Sequence, residues 1–151
     1  MEIKIKKLHP DVVIPAKATP QSACYDVYAP CDFSVKEGRS VMPLGFAMEL
    51  PDGYAAEIRP RSGYSAKGFV GMIGYTESRF DADILHGVID SDYRGEVGAI
   101  IISRESRFFT VKKGQRVAQM LIVKVETADF TEVEELSNTI RQDGGFGHSG
   151  V

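Results

Sequence analysis

The sequence predicts an all-β sandwich or barrel, and three observations predict it. Runs of β-branched and aromatic residues recur at intervals of about ten residues, with apolar and polar positions alternating. Gly- or Pro-containing turns punctuate most of them, among them Lys36-Glu37-Gly38, Pro51-Asp52-Gly53 and Lys112-Lys113-Gly114. Few stretches carry the apolar spacing of an amphipathic helix.

The run at residues 2–6 alternates apolar and charged residues and lacks the apolar stretch of a signal peptide. Residues 22–28 read as an aromatic-rich strand holding Asp26, whose charge is either at a strand end in water or beside a cationic partner. Strands are expected over 40–50 and 54–58. Arg59-Pro60-Arg61-Ser62-Gly63 then puts two arginines, a hydroxyl and a glycine before a short helix through residues 64–67. Ser62 can cap that helix, and the N–H groups at its start attract phosphate; the same segment also reads as a surface turn with solvated charges. Residues 71–84 fit neither strand nor helix well and are expected as a long loop or an extra hairpin. Strands are expected again over 96–103, 108–111 and 116–125, with a weaker one over 130–135. Gly114-Gln115-Arg116 reads as a turn entering a strand, with Arg116 salt-bridged in the core.

Composition narrows the function. A chain of 151 residues suits one domain with a real core. Its net charge of −3 argues against nucleic-acid binding through a broad basic face, so an anionic ligand needs local cations. Cys24 and Cys31 form no CxxC pair, and His9, His86 and His148 have no metal-ligand spacing. A metal, if bound, is expected to be a hard one held by oxygen. No apolar run is long enough for a transmembrane helix, and an intracellular, soluble location such as the cytoplasm is expected.

Two segments carry the chemistry. Gly87-Val88-Ile89-Asp90-Ser91-Asp92-Tyr93-Arg94-Gly95 sets carboxylates beside an aromatic between apolar runs; it is either a solvated acidic turn or a rigidly held catalytic base beside a ligand ring. The terminal Arg141-Gln142-Asp143-Gly144-Gly145-Phe146-Gly147-His148-Ser149-Gly150 is either a disordered tail or a flap for a phosphorylated ring compound. Glycines allow close backbone approach to an anion, the phenyl ring offers a stacking face, and the guanidinium grips phosphate.

In order and combination these segments, with Ala23-Cys24-Tyr25-Asp26-Val27-Tyr28, Pro60-Arg61-Ser62-Gly63 and Gly114-Gln115-Arg116-Val117-Ala118-Gln119, make the chain resemble the trimeric dUTP diphosphatase (dUTPase) family across nearly its whole length. The resemblance implies a jelly-roll-like distorted β-barrel over residues 1–140, assembled as a homotrimer with composite sites, and a glycine-rich arm at 141–151 closing a neighbour's site. It implies hydrolysis of dUTP to dUMP and pyrophosphate with Mg²⁺, which limits uracil in DNA and supplies dUMP for dTMP synthesis. Asp90 would activate the water that attacks the α-phosphorus, and Tyr93 would pack on the deoxyribose and exclude a 2′-hydroxyl. Asp26 would hold waters of the Mg²⁺ shell. Arg61, Ser62, Gly63 and Gln119 would contact phosphates, Arg141 would clamp the γ-phosphate, Phe146 would stack on uracil, and the arm backbone at Gly147 with Ser149 would wrap the terminal phosphates. Main-chain groups of the third-motif hairpin would read uracil.

Three departures from the family pattern stand out: Cys24 in place of a glycine, His148 in place of a serine, and a longer link between Gly63 and Gly87. That link, residues 71–84, is either a passive elaboration or a surface for a protein partner. The alternatives are a dCTP deaminase of the same fold, which needs a glutamate where this chain has Ile100, and a regulatory protein of dUTPase fold acting through residues 71–84.

Overall fold

Short antiparallel strands build the molecule, and the alternation seen in the sequence is the alternation of their buried faces. The structure, a computed structural model, describes residues 1–143. In chain order its strands are β1 (Lys4–Lys7), β2 (Tyr25–Tyr28), β3 (Phe33–Val35), β4 (Gly38–Pro43), β5 (Phe46–Glu49) and β6 (Tyr54–Arg59). The helix α1 (Ser62–Lys67) follows, then β7 (Phe69–Ile73), β8 (Thr76–Phe80), β9 (Ala82–Ile84), β10 (Gly87–Ile89), β11 (Gly98–Ser103), β12 (Phe109–Val111) and β13 (Arg116–Lys124). They form four sheets, ordered β1-β5, β10-β6-β13-β2, β4-β11-β9 and β3-β12-β7-β8.

Strand β11 shows why these residues make strands. Ala99, Ile101 and Ser103 are buried while Gly98, Ile100 and Ile102 are half-buried, the period of two that a sheet with one core face requires. The core gathers Phe46, Phe69, Phe109, Met42, Leu44, Ile58 and Ile101, all nearly inaccessible, each contributing about 1.5–3 kcal/mol of burial. Phe80 stacks on Phe109 with centroids 4.2 Å apart. A side chain at Gly71 would strike the Phe109 ring, its Cβ 2.3 Å from Cδ2.

The run expected at 40–50 is two strands in two different sheets. Gly45, at φ +74 and with Val12 Cγ2 2.5 Å from where a Cβ would stand, turns the chain there, so β4 pairs with β11 and β5 with β1. Of residues 71–84, those up to Phe80 belong to a hairpin, in which β7 pairs with β8 from Phe69↔Phe80 to Ile73↔Thr76, while Ala82–Ile84 is the strand β9 and pairs with β11 in another sheet. Gly74 at φ +59 opens the hairpin's two-residue turn, as the type II′ geometry favoured in tight hairpins demands. The weak strand expected at 130–135 does not form; after Val125 bonds to Gly53, the described chain is exposed and without strand or helix. Ser62 is the first residue of α1 rather than its cap: the N-cap is Arg61, in extended conformation with no side-chain cap bond.

Candidate active site

The first cluster stands on one row of the sheet β10-β6-β13-β2. Gln119 of β13 is in register with Asp26 of β2 on one side and with Arg59 of β6 on the other. Directly opposed residues share a face, so the three side chains line up across the sheet. Asp26, 14% exposed at its side chain, lies 3.4 Å from Arg61 Nε and 3.3 Å from Arg116 Nη1. Its charge therefore has two cationic partners, which answers why a carboxylate sits in an aromatic strand. Arg116 is 50% exposed rather than in the core; the ion pair forms, but at the surface.

Around this row the turns are tied down. Gln119 Nε2 donates to Pro60 O at 2.9 Å, fixing the bend between β6 and Arg61. Tyr64 donates its hydroxyl proton to Arg116 O at 2.9 Å and lays its ring 5.3 Å from the Arg61 guanidinium. Gln115 Nε2 donates to Val70 O and to Tyr64 Oη. Sequence reasoning missed Tyr64, whose only signal is an aromatic directly after Ser62-Gly63. Ser62 and Gly63 are exposed, and a Cβ added at Gly63 would meet nothing within 4 Å, so packing within the chain does not demand that glycine.

The second cluster is a cleft of about 510 Å³ beside β10. Val41 and Pro43 of β4 face Ile100 and Gly98 of β11 in register, and with Ile58 they form an apolar wall. Opposite them stand Gly87–Ile89, Asp90 and Tyr93. Strand β10 ends its sheet, so among the described residues one of its backbone edges has no strand beside it. Asp90 and Asp92 are exposed on the turn. Tyr93 is held by its hydroxyl, which donates to Glu96 O at 3.0 Å, and Gly95 leaves it space, since a Cβ there would fall 2.3 Å from Oη. Glu96 Oε1 accepts from Gly45 N at 2.9 Å, tying this turn to the β4–β5 bend. The wall residues Val41, Pro43, Ile58 and Ile100 were legible only as strand alternation.

Within one chain the two clusters stay apart. Gly87 pairs with Ile58 and Ile89 with Ala56, so Asp90 leaves β10 four residues down from the Arg59 row and three strands across from Asp26. That is about 13 Å along and about 14 Å across, roughly 19 Å in all. Arg141 is exposed near the end of the described residues; Phe146, Gly147 and Ser149 lie outside them.

The molecule is thus an antiparallel β body with one short helix, carrying an apolar cleft edged by a carboxylate and a tyrosine and, apart from it, a carboxylate bracketed by two arginines. The dUTPase family model matches residues 11–150, and the chain belongs to that family. It is 40% identical over 152 residues to the deoxyuridine 5′-triphosphate nucleotidohydrolase of Helicobacter hepaticus, covering 100% of this chain and 90% of that one. It is 41% identical to the protein of that name from Syntrophotalea carbinolica, with 98% and 96% covered, and 40% identical to that of Arabidopsis thaliana, with 98% and 82% covered. Among solved structures, the dUTPase of Staphylococcus bacteriophage 80alpha with dUPNHPP superposes with a TM-score of 0.82 at 24% identity over 99% of both chains. That of Staphylococcus aureus phage phi11, noted for its species-specific insert, does so at 0.74 and 20% identity, with 92% and 100% covered. At these identities the two structures speak to the fold.

Proposed function

We propose that this chain hydrolyses dUTP to dUMP and pyrophosphate. The observation that carries this reading is the full-length match, at about two residues in five, to enzymes named for that reaction. The cleft agrees with it: an apolar slot, a free strand edge and a tyrosine suit a deoxynucleoside, and Asp90 at its mouth suits a base. Ile100, an apolar wall residue, stands where a deaminase would need its glutamate.

In this reading uracil lies against the edge of β10 and the sugar packs on Tyr93, whose ring leaves no space for a 2′-hydroxyl. Asp90 takes a proton from the attacking water as it adds to the α-phosphorus and the bond to the bridging oxygen of pyrophosphate breaks. Arg61, Ser62, Gly63 and Gln119 hold phosphate oxygens, and Arg141, Phe146, Gly147 and Ser149 close over them. Among the described residues no three His, Cys, Asp or Glu side chains gather as a metal cage; the lone Asp26 fits Mg²⁺ carried by the triphosphate and touched through its waters. A variant of the phi11 enzyme is described as coordinating a structural Mg(II) ion. When bound, Mg²⁺ supplies charge neutralisation to the triphosphate.

Because Asp90 and Asp26 stand roughly 19 Å apart in one chain, the site in this reading is composite, with the cleft of one copy meeting the row of the next. The outer face of the sheet β10-β6-β13-β2, with Val88 exposed and Leu121 and Val123 half-buried, suits such a contact. A homotrimer of jelly-roll-like barrels follows the family. With residues 1–140 as the body and 141–151 as the arm that closes a neighbour's site, Phe130, Leu136 and Ile140, almost wholly exposed here, suit an end of the body that packs against a neighbouring copy. No helix among the described residues is long and apolar enough to cross a membrane, and free Cys24 and Cys31 suit a reducing, cytoplasmic setting.

A second reading adds a protein partner at the hairpin β7–β8, whose tip shows Tyr75 fully exposed beside Ile73. Tyr75→Ser would then reduce partner binding and leave nucleotide turnover intact. The primary test is pyrophosphate release from dUTP, dCTP, dTTP and UTP with Mg²⁺, alongside Asp90→Asn. Release from dUTP alone is expected. Asp90→Asn should lower turnover by about 10²-fold or more while keeping nucleotide affinity within a few-fold, and normal turnover in that variant would remove Asp90 from its role.

A further inference from the structure

The geometry points to Arg59 as a further substrate-binding residue, a third guanidinium reaching the triphosphate from the strand next to Gln119. This rests on the reading of the arginine-bracketed row as the phosphate end of the site. The register places Arg59: it pairs with Gln119, which pairs with Asp26, and such partners stand on one face with Cβ atoms about 5 Å apart. Arg59 also leads directly through Pro60 into Arg61, and Gln119 holds the Pro60 carbonyl. The bend therefore delivers two arginines to one end of the row.

The charge balance needs Arg59. Arg61 and Arg116 share the single carboxylate of Asp26, while Arg59 pairs with Glu57, its Nη2 2.5 Å and its Nε 2.8 Å from Oε2. Arg61 and Arg116 exceed Asp26 by one positive charge, and Glu57 would cancel that excess if left alone; by neutralising Glu57, Arg59 keeps the row cationic, as a polyanion requires. Its side chain is 43% exposed. Both contacts to Glu57 use one edge of the guanidinium, with Nη1 on the other, and a planar five-donor group can serve two anions at once. Glu57, which also has His86 Nε2 at 3.4 Å, acts as the tether that keeps Arg59 in place before substrate arrives, lowering the ordering cost of binding.

The test compares the full chain with Arg59→Gln and Arg59→Lys in Mg²⁺-dependent dUTP hydrolysis. Inorganic tripolyphosphate and deoxyuridine serve as competing ligands, calorimetric titration gives direct affinities, and sedimentation reports assembly. Losing a charged hydrogen bond should raise KM for dUTP and Ki for tripolyphosphate about tenfold in Arg59→Gln. The kcat should stay within about twofold, the deoxyuridine Ki should not move, and Arg59→Lys should recover most of the loss. Unchanged tripolyphosphate affinity would overturn the role, as would a deoxyuridine Ki that shifts as far as that of dUTP, or a change in oligomeric state. Absence of dUTP hydrolysis in the unmodified chain would instead overturn the function proposed above; the tripolyphosphate titration would still decide Arg59.

Discussion

Asp26 and Arg61 meet 3.4 Å apart, carboxylate oxygen to Nε, although one lies on the edge strand β2 and the other caps the helix α1 beyond β6. The contact closes the row of the sheet over Gln119 and couples two motifs distant in sequence. With Arg116 on its other oxygen, Asp26 is held by cations on both sides, and only its remaining lone pairs face a ligand.

Replacing Asp26 with Asn keeps the shape and removes the charge. Arg61 and Arg116 then repel each other without a shared counterion, but both remain partly in water, so the loss of stability should be small, about 1 kcal/mol. The effect on turnover should be larger and should appear as a need for more Mg²⁺, because a neutral amide orders the waters of a metal less well than a carboxylate. Turnover measured against Mg²⁺ concentration, beside a thermal melt, separates the two. An unchanged Mg²⁺ dependence would show that Asp26 only holds arginines.

Tyr93 is braced at its hydroxyl by the Glu96 carbonyl and fills the space that Gly95 leaves. Tyr93→Phe loses one hydrogen bond, about 1 kcal/mol, and keeps the ring. Tyr93→Ala opens the cleft at the sugar. The ratio of kcat/KM for dUTP over UTP should therefore survive in Tyr93→Phe and fall in Tyr93→Ala. A ratio equally preserved in both variants would move sugar selection elsewhere.

Much of this was readable from residues alone. Strand alternation in β6, β11 and β13 and the hairpin option for residues 71–84 follow from patterns local in sequence; for Asp26 the sequence leaves water and a cationic partner both open, and its partners Arg61 and Arg116 come from distant segments. What was not readable depends on tertiary contacts. The apolar run from Val41 to Leu50 gives no sign that Val12 crowds Gly45 and divides it between two sheets. Residues 130–135 have strand propensity, yet among the described residues no neighbouring strand pairs with them. Arg116 carries no mark of exposure, since its place follows from the irregular register between β13 and β2 that begins there. That Asp90 and Tyr93 line one cleft with Val41 and Ile100 depends on sheet order, which no single segment encodes.

Gly98 keeps the cleft open. A Cβ there would fall 2.7 Å from Val41 Cγ1, the diagonal neighbour across the β4–β11 pair, so Gly98→Ala must push Val41 into the cleft or spread the strands. The cost should be about 1–3 kcal/mol if the strands yield, and a weakened nucleoside site if Val41 moves. Deoxyuridine inhibition should weaken while tripolyphosphate inhibition stays constant, and Val41→Ala in the same chain should restore most of the loss, a coupling that a double-mutant cycle reads directly. Equal weakening of both inhibitors would mean the damage is general.

The turn before β13 carries an acid-sensitive anchor. Asp32 receives hydrogen bonds from the Lys112 ammonium and, at 2.8 Å, from the Lys113 backbone N–H. These bonds, the Lys112 one foremost, hold its carboxyl below the ordinary 3.8. Asp11 is likewise lowered, chiefly by the hydrogen bond from Lys113 Nζ at 2.6 Å. A carboxyl whose pKa is depressed by folding stabilises the fold above its unfolded value and loses that contribution as pH falls through the folded one. Stability should therefore decline from about pH 4 downwards. Asp32→Asn should melt lower than the unmodified chain near neutrality, and the gap should close in acid, where the unmodified Asp32 is itself protonated. Melting curves for both chains over this range decide it: a gap independent of pH would assign the difference to hydrogen-bond geometry rather than charge. Because this turn leads directly into Gln115 and Arg116, the same acid step should loosen Arg116 from Asp26 and weaken tripolyphosphate binding before the chain unfolds.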